Sequence, residues 1–452
     1  WSSDVCSSDL GVELHDWDYT KGTDIIINDT ALEGIPFTAI SEKAFFNDKQ
    51  LTSLSLPSSV ERVDSLAFEG ASNLKTITFS DSGKGLKKID SLAFKDCSSL
   101  ESIDLSNAEI TEIPVRAFEN CTSLKSIKLP STVTKIADNA FAGCSNLEEI
   151  KGLEQCKISE LSATAFDGCV RLKDINLSNA TIAAIPDQIF SGMRGLISAT
   201  VPKTVTSIGT EAFYACKNLE MINGLSDCNI TKIGEKAFYN CWSLKGADLS
   251  GSSLTVLPAS AFKGDTALLS VKMPESLNEI GNEAFYGCSA MKKLDLNNTR
   301  LTTIGNSALS DMTSLMYINL PDTVNSVGAK AFDLNLRLDS SDTALMPTVV
   351  SENVTPASVN YTDNNVSPWK RRQVIFRDNA VAVYFDGNGS NGKTANAPVF
   401  ASAGTKISIP ACKYTKKGYL FTGWNTEKDG SGTTYKAGAR TSDAISILYA
   451  QW

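Results

Sequence analysis

Histidine is almost missing from this chain of 452 residues: His15 is the only one. That removes most zinc centres, histidine acid–base chemistry and histidine-assisted nucleophiles together. No run of 18 apolar residues occurs, so the sequence contains no helical membrane span. Positive charge is also scarce. Lys and Arg number 42 against 51 Asp and Glu, for a net charge of −9. A phosphate-backbone binder needs clustered cations. The only basic cluster is Lys370, Arg371 and Arg372, which reads as a solvated linker and not as a nucleic-acid site. A secretion signal is not legible either. Residues 1–10, "WSSDVCSSDL", match nothing else in the chain and read as a translated sequencing adapter. They are set outside the fold, and the missing leader carries no weight.

What is abundant is repetition. A column, usually Ala-Phe, falls at Phe45, Phe68, Phe94, Phe118, Phe141, Phe166, Phe190, Phe213, Phe238, Phe262, Phe285, Leu309 (in place of Phe) and Phe332, with gaps of 23 to 26 residues. That spacing belongs to leucine-rich repeats. A longer period of 72 lies above it: Phe94, Phe166 and Phe238 share one phase, as do the turns "DLSNAEITEIP", "NLSNATIAAIP" and "DLSGSSLTVLP". Three coils read as a duplicated unit.

Each coil follows L-x-x-I-x-L-P, then V-x-x-I, then A-F-x-x-C. In "LKSIKLP" (124–130) Leu124, Ile127 and Leu129 point inward. Ile127 and Leu129 alternate as a strand requires, and Pro130 ends the strand because it has no N–H for a ladder. Ala140 and Phe141 are expected on a short helical or 3₁₀ turn. The fold class is therefore a repeat solenoid, a leucine-rich-repeat array of about 13 coils with parallel β-sheet faces. No coil buries its apolar residues alone; stacking makes the core continuous.

Three residues after each Phe stands a second column: Asp48, Ala71, Cys97, Cys121, Cys144, Cys169, Met193, Cys216, Cys241, Asp265, Cys288, Met312 and Asn335. A nucleophile or metal ligand does not tolerate exchange for Met or Ala, whereas a packed small hydrophobe does. Cys156 and Cys228 fall in another column, where Ala108 and Ala180 replace them. Neighbouring column cysteines come within disulfide range. Their side chains point in parallel, however, so buried free thiols are favoured over scattered disulfides. Asp48 and Asn335 mark the ends of the stack. Asp265 is the one charge inside it. It is expected to swing to solvent, because Gly264 before it permits a bent backbone.

On the strands, the residue between the inward apolars faces outward. That row is Ser55, Thr78, Asp104, Lys128, Lys151, Asn176, Thr200, Asn223, Asp248, Lys272, Asp295 and Asn319. It is polar and mixed in sign. The bland reading is a solvated sheet face. The functional one is a ligand-facing surface, although its only aromatic anchor is Tyr317, one strand position away.

Four motifs are decoys. Gly387, Gly389 and Gly392 have G-x-G-x-x-G spacing, but no helix pattern follows, and a glycine-rich hairpin is expected. Asp386, Asn388 and Ser390 have calcium-loop spacing, but Asn391 and Ala397 replace the required Gly and Glu. "LPSTV" (129–133) lacks the glycine and hydrophobic tail of a sortase signal. No carboxylate pair stands out from the repeats.

These repeats resemble the BspA-like leucine-rich repeats, the type also found in treponeme surface antigens, over roughly residues 22–337. The tail, "VAVYFDGNG…GYLFTGWNTEKDGSGTTY…ILYAQW" (381–452), is similar to the Listeria–Bacteroides repeat of internalin-type surface proteins. That resemblance implies a small β-grasp-like domain. Its alternating Val381, Val383 and Phe385 read as strand, and Tyr419, Phe421, Trp424, Tyr449 and Trp452 are expected in its core. The domains are thus a solenoid at 11–337, a cap remnant and Ser/Thr/Asn/Pro-rich linker at 338–372, and the tail module at 373–452. Together the resemblances imply a non-enzymatic, extracellular or cell-surface protein of bacterial type, adhesin-like. It would bind a protein or glycan ligand, with no cofactor and as a monomer. The alternatives are a structural spacer that presents a missing terminal domain, or a cytoplasmic repeat scaffold of a protist.

Overall fold

The computed structural model describes residues 5–8, 11–14, 22–27, 30–32, 35–315, 317–321, 323–332, 349–351, 374–376, 380–391, 396, 399–402, 406–441 and 447–452. The repeats form a parallel β-solenoid of about 12 turns. The thirteenth coil counted in the sequence closes on Asn335, outside the described residues. The chain divides into two compact units, Trp1–Leu268 and Leu269–Trp452.

In the first unit, each coil contributes a short strand to an outward sheet and a two-residue strand to the opposite face. The strands Asp24–Ile26, Ser53–Leu56, Thr76–Phe79, Ser102–Asp104, Ser126–Lys128 and Glu149–Lys151 run parallel in one six-stranded sheet. A separate three-stranded sheet follows, made of Asp174–Asn176, Ser198–Thr200 and Met221–Asn223. At the other end, Val5–Ser8 pairs antiparallel with Gly11–Leu14.

The core is a ladder of rings. Successive Phe centroids from Phe45 to Phe262 lie 5.0–6.4 Å apart, and the Phe141–Phe166 step is 5.8 Å. One buried Phe stabilises by about 1.5–3 kcal/mol. The loosest step is Phe166–Phe190 at 6.4 Å, and Phe190 is then tilted 35° from Phe213. That coil carries two oversized neighbours, Ile189 for Ala and Met193 for Cys, both buried.

The Ala-Phe segment is not helical. It is a run of tight turns closed by i→i+3 bonds, such as Cys97 N–H to Phe94 O at 3.2 Å. Residues two before and two after the Phe take positive φ, as in Arg116 (55°) and Asn120 (60°) around Phe118, with Thr164 before Phe166 the exception among the described coils. The column two after Phe is therefore Asn, Asp or Gly in most coils, the residues that tolerate left-handed backbone. The turns also bond from coil to coil: Phe118 N–H donates to Ala140 O at 2.9 Å, and Asn120 N–H to Ala142 O at 2.7 Å.

The 72-residue period appears as a structural break. Coils of 25 or 26 residues carry an extra 3₁₀ turn after the outward strand, at Ser80–Gly83, Leu153–Gln155 and Leu225–Asp227. Gly152 opens the second of these at φ +84°, and a Cβ there would meet Leu129 O at 2.4 Å. After the first 3₁₀ turn, the next strand keeps one registered pair, Ser102 with Thr76. After the second, the sheet is interrupted.

In the second unit, Glu279–Ile280, Thr303–Ile304 and Ser326–Val327 pair in parallel, and Lys293–Asp295 pairs with Tyr317–Asn319. Phe285 N–H donates to Ala308 O and Leu309 N–H to Ala331 O, each at 2.8 Å, so the turn ladder recurs here. The segment read as linker is described only at Val349–Ser351, which pairs in parallel with Val374–Phe376; its remaining residues lie outside the description.

The tail module is a small mixed sheet. Ala380–Asp386 lies between Val399–Ser402 and Ile447–Gln451, and Gly423–Asn425 adds to the latter. Trp424 is fully buried, with Phe385, Tyr414 and Phe421 around it at 4.7–6.1 Å. Tyr414 belongs to this core, and its hydroxyl donates to Phe385 O at 2.6 Å. Tyr419 does not: it is 60% exposed. The backbone turns at Gly418, φ +84°, and sends it outward.

Candidate functional site

The cysteine column is a hydrogen-bonded ladder. The Cys121 thiol donates to Phe94 O at 3.1 Å and the Cys144 thiol to Phe118 O at 3.0 Å; Cys97, Cys169, Cys216 and Cys241 repeat the bond one coil back. The cysteines described are free, and those of the array are buried. Burial pushes the Cys169 and Cys216 thiols up to about 12, and the Cys156 thiol up to about 11. Such thiols neither attack nor bind metal at neutral pH.

Asp265 departs from expectation: it is buried, with 0% exposure. The positive φ of Gly264 is shared by Asn240 and Gly287 at the same column position, so it provides no extra bend toward water. The carboxyl fills the thiol site. Its Oδ1 accepts from Cys241 N–H at 2.8 Å, while Oδ2 has no partner among the described residues. Burial drives its pKa well above the ordinary carboxylate range. Asp48, at the end of the column, instead caps its turn by accepting from Gln50 and Leu51 N–H.

The outward row is set in registered blocks. Ser55 lies beside Thr78; Asp104, Lys128 and Lys151 align; Asn176, Thr200 and Asn223 align. In the second unit Asp295 aligns with Asn319, while the side chains of Tyr317 and Asn319 lie outside the description. Several members are occupied with structure. Asp104, Asn176, Asp248 and Asp295 each accept, through Oδ1, the N–H two residues on, the short polar side chain closing its own turn. Burial opposes ionisation of Asp104, but bonds from Lys128 Nζ, at 2.5 Å, and from Ser106 outweigh it and hold the carboxyl below its usual range. Lys272 is exposed.

Where the sheet is interrupted, an open groove of about 710 Å³ forms. Lys128, Lys151 and Asn176 of the row line it, with Glu148, Glu154 and Lys173 beside them. Glu148 accepts from Lys173 Nζ at 2.5 Å and from Arg171 at 2.8 Å; Lys173 first, then Arg171, lowers its pKa. Among the described residues there is no cluster of three His, Cys, Asp or Glu suited to a metal, and no helix is long and apolar enough to cross a membrane.

An aromatic group escaped the sequence reading because anchors were sought only on the strands. Tyr214 and Tyr239 stack at 5.1 Å, and Lys217 Nζ sits 3.9 Å from the ring centre of Trp242, which is 46% exposed. The signal is the run "AFYAC", "AFYNCW" and "AFYGC", with aromatics beside the Phe column.

The family described as BspA type Leucine rich repeat region matches in six copies, over residues 38–161, 154–262 and 231–353. The chain belongs to that family. The Listeria-Bacteroides repeat domain matches residues 382–451. Both repeat types are typical of bacterial surface proteins. A crystal structure of a leucine-rich repeat protein from Bacteroides ovatus is 26% identical, with TM-score 0.51, covering 74% of this chain and 90% of that one. A leucine rich cell surface protein from Faecalibacterium prausnitzii is 21% identical with TM-score 0.38, covering 81% and 98%. A putative Gly-rich membrane protein of Evansella cellulosilytica is 39% identical over 77 residues, 16% of this chain. The match spans 9% of that curated relative's length.

Proposed function

We propose that the chain is a non-enzymatic, surface-displayed binding protein of adhesin type, whose outward strand face holds a protein or glycan ligand. One observation carries the reading: the groove at the sheet interruption gathers Lys128, Lys151 and Asn176 on rigid strands. The family's usual role in protein binding supports it. Lys128 and Lys151 reach outward from residues whose backbone is fixed by the ladder, so contact orders their side chains but not the backbone. A spacer role is the competing reading, favoured by the Asp and Asn of the row that close their own turns.

The test is capture of extracellular-matrix and mucosal proteins by the whole chain, compared with a Lys128→Glu/Lys151→Glu variant and with Trp242→Ala. Loss of capture in the double variant alone supports the groove. Loss in Trp242→Ala alone moves the binding surface to the turn face. Binding unchanged in both, or absent in the parent, leaves the spacer reading.

A further inference from the structure

The tail module opposes the array in charge. Residues 373–452 carry nine Lys and Arg against five Asp and Glu, a net +4 in a chain of −9, so residues 1–372 carry −13. Within the module, "KYTKKGYL" (413–420) forms a loop that ends in an apolar tip. Leu420 is 85% exposed and Tyr419 60%, the two most exposed large apolar side chains among the module's described residues. Lys413 and Lys417 are exposed beside them. Among the described residues, Lys413, Lys416 and Lys417 form no ion pair.

The loop is pinned. Lys417 N–H donates to Asn391 Oδ1 at 3.0 Å, Asn391 N–H to Thr415 O at 3.0 Å, and Tyr419 N–H to Lys416 O at 3.0 Å. Lys416 Nζ lies 4.8 Å from the Tyr419 ring centre. These bonds fix the loop's backbone, but the exposure of Leu420 and Tyr419 beside lysines that form no ion pair among the described residues adds nothing to the module's core.

We propose that this loop docks the module on an anionic lipid bilayer, with Leu420 and Tyr419 entering the interface and Lys416 and Lys417 meeting the headgroups. The lysines alone would suit any polyanion. The apolar tip decides between a bilayer and a soluble polyanion, because the bilayer offers an apolar phase beneath its charged surface. Tyrosine favours that boundary, with its ring in the apolar layer and its hydroxyl in water. Lysine near an anionic surface contributes about a five-fold gain in partitioning each.

The test uses the whole chain in co-sedimentation with vesicles of mixed phosphatidylglycerol and phosphatidylcholine, with pure phosphatidylcholine vesicles and soluble polyphosphate as separate arms. Mixed vesicles should bind and pure phosphatidylcholine should bind much less. Lys416→Gln/Lys417→Gln should weaken partitioning about 25-fold. Leu420→Ser should weaken it on mixed vesicles while leaving the folded spectrum unchanged, since the side chain is exposed. Failure to bind mixed vesicles overturns the proposal. So does polyphosphate binding as strong as vesicle binding and indifferent to Leu420→Ser, which would make the surface a polyanion site. The groove variants leave this result unaffected, so the two proposals fail separately.

Discussion

Asp265 is the residue with the most to say about cost. A buried carboxylate oxygen without a partner is worth about 1–3 kcal/mol of lost stability. Its folded pKa lies above its unfolded one, so the native state holds the proton over that interval. The contribution is fully present below the unfolded value and is lost as pH rises through the folded value. Asp265→Cys restores the thiol column and should raise stability by about 1–2 kcal/mol at pH near 8, with the gain shrinking toward pH 4. Melting curves at the two pH values check both the sign and the slope. The buried thiols carry a second expectation: a colourimetric thiol reagent should leave Cys97, Cys121, Cys144, Cys156, Cys169, Cys216, Cys228, Cys241 and Cys288 unreacted in the native protein and find them after denaturation. Thiols missing from the denatured, unreduced protein would contradict it. The column was legible in the sequence because Cys, Met and Ala exchange within it. The burial of Asp265 was not, since glycine's freedom is visible in a sequence while its use by the whole column is visible only in φ.

At the scale of the element, the coil is a closed circuit whose corner is the Phe turn. Removing one ring leaves a hole between two others that the backbone ladder holds two coil rises apart. Phe141→Ala should therefore cost about 3–5 kcal/mol, as for other large-to-small core changes. A denaturant midpoint measures it, and a cost under about 1 kcal/mol would mean that the stack collapses into the gap. The strands, their inward residues and their register followed from period and alternation. The turn did not: its i→i+3 spacing suggests a helix, and only the repeated Asn, Asp and Gly two after the Phe betray left-handed backbone. The groove was half legible. The row predicted Lys128, Lys151 and Asn176, but the interruption that parts the Asn176 strand from the paired strands of Lys128 and Lys151 depends on the 3₁₀ turn fitted into the 25-residue coil.

At the scale of the whole molecule, composition changes between 338 and 372, and the expectation is a segment open to protease there. Limited proteolysis should give one soluble piece that ends near residue 340 and another that starts near residue 372, read by mass. Cleavage within 38–332 at equal rate would oppose separate folding of array and tail. If the strand face holds the ligand, the first piece keeps the binding of the whole. Retention by the second alone would move the function to the tail.

The sheet interruption also bears on inheritance. Gly152 and Gly224 stand 72 residues apart with the same φ of +84°, each opening a 3₁₀ turn that ends on a buried cysteine. The stretch between them is a cassette with matching ends. Excising 153–224 would join Gly152 to Leu225, where Leu153 now stands, and return every later strand to its column. A gene built this way can lengthen or shorten by unequal crossing-over without a frame or register to repair, so the length of the array becomes a matter of copy number.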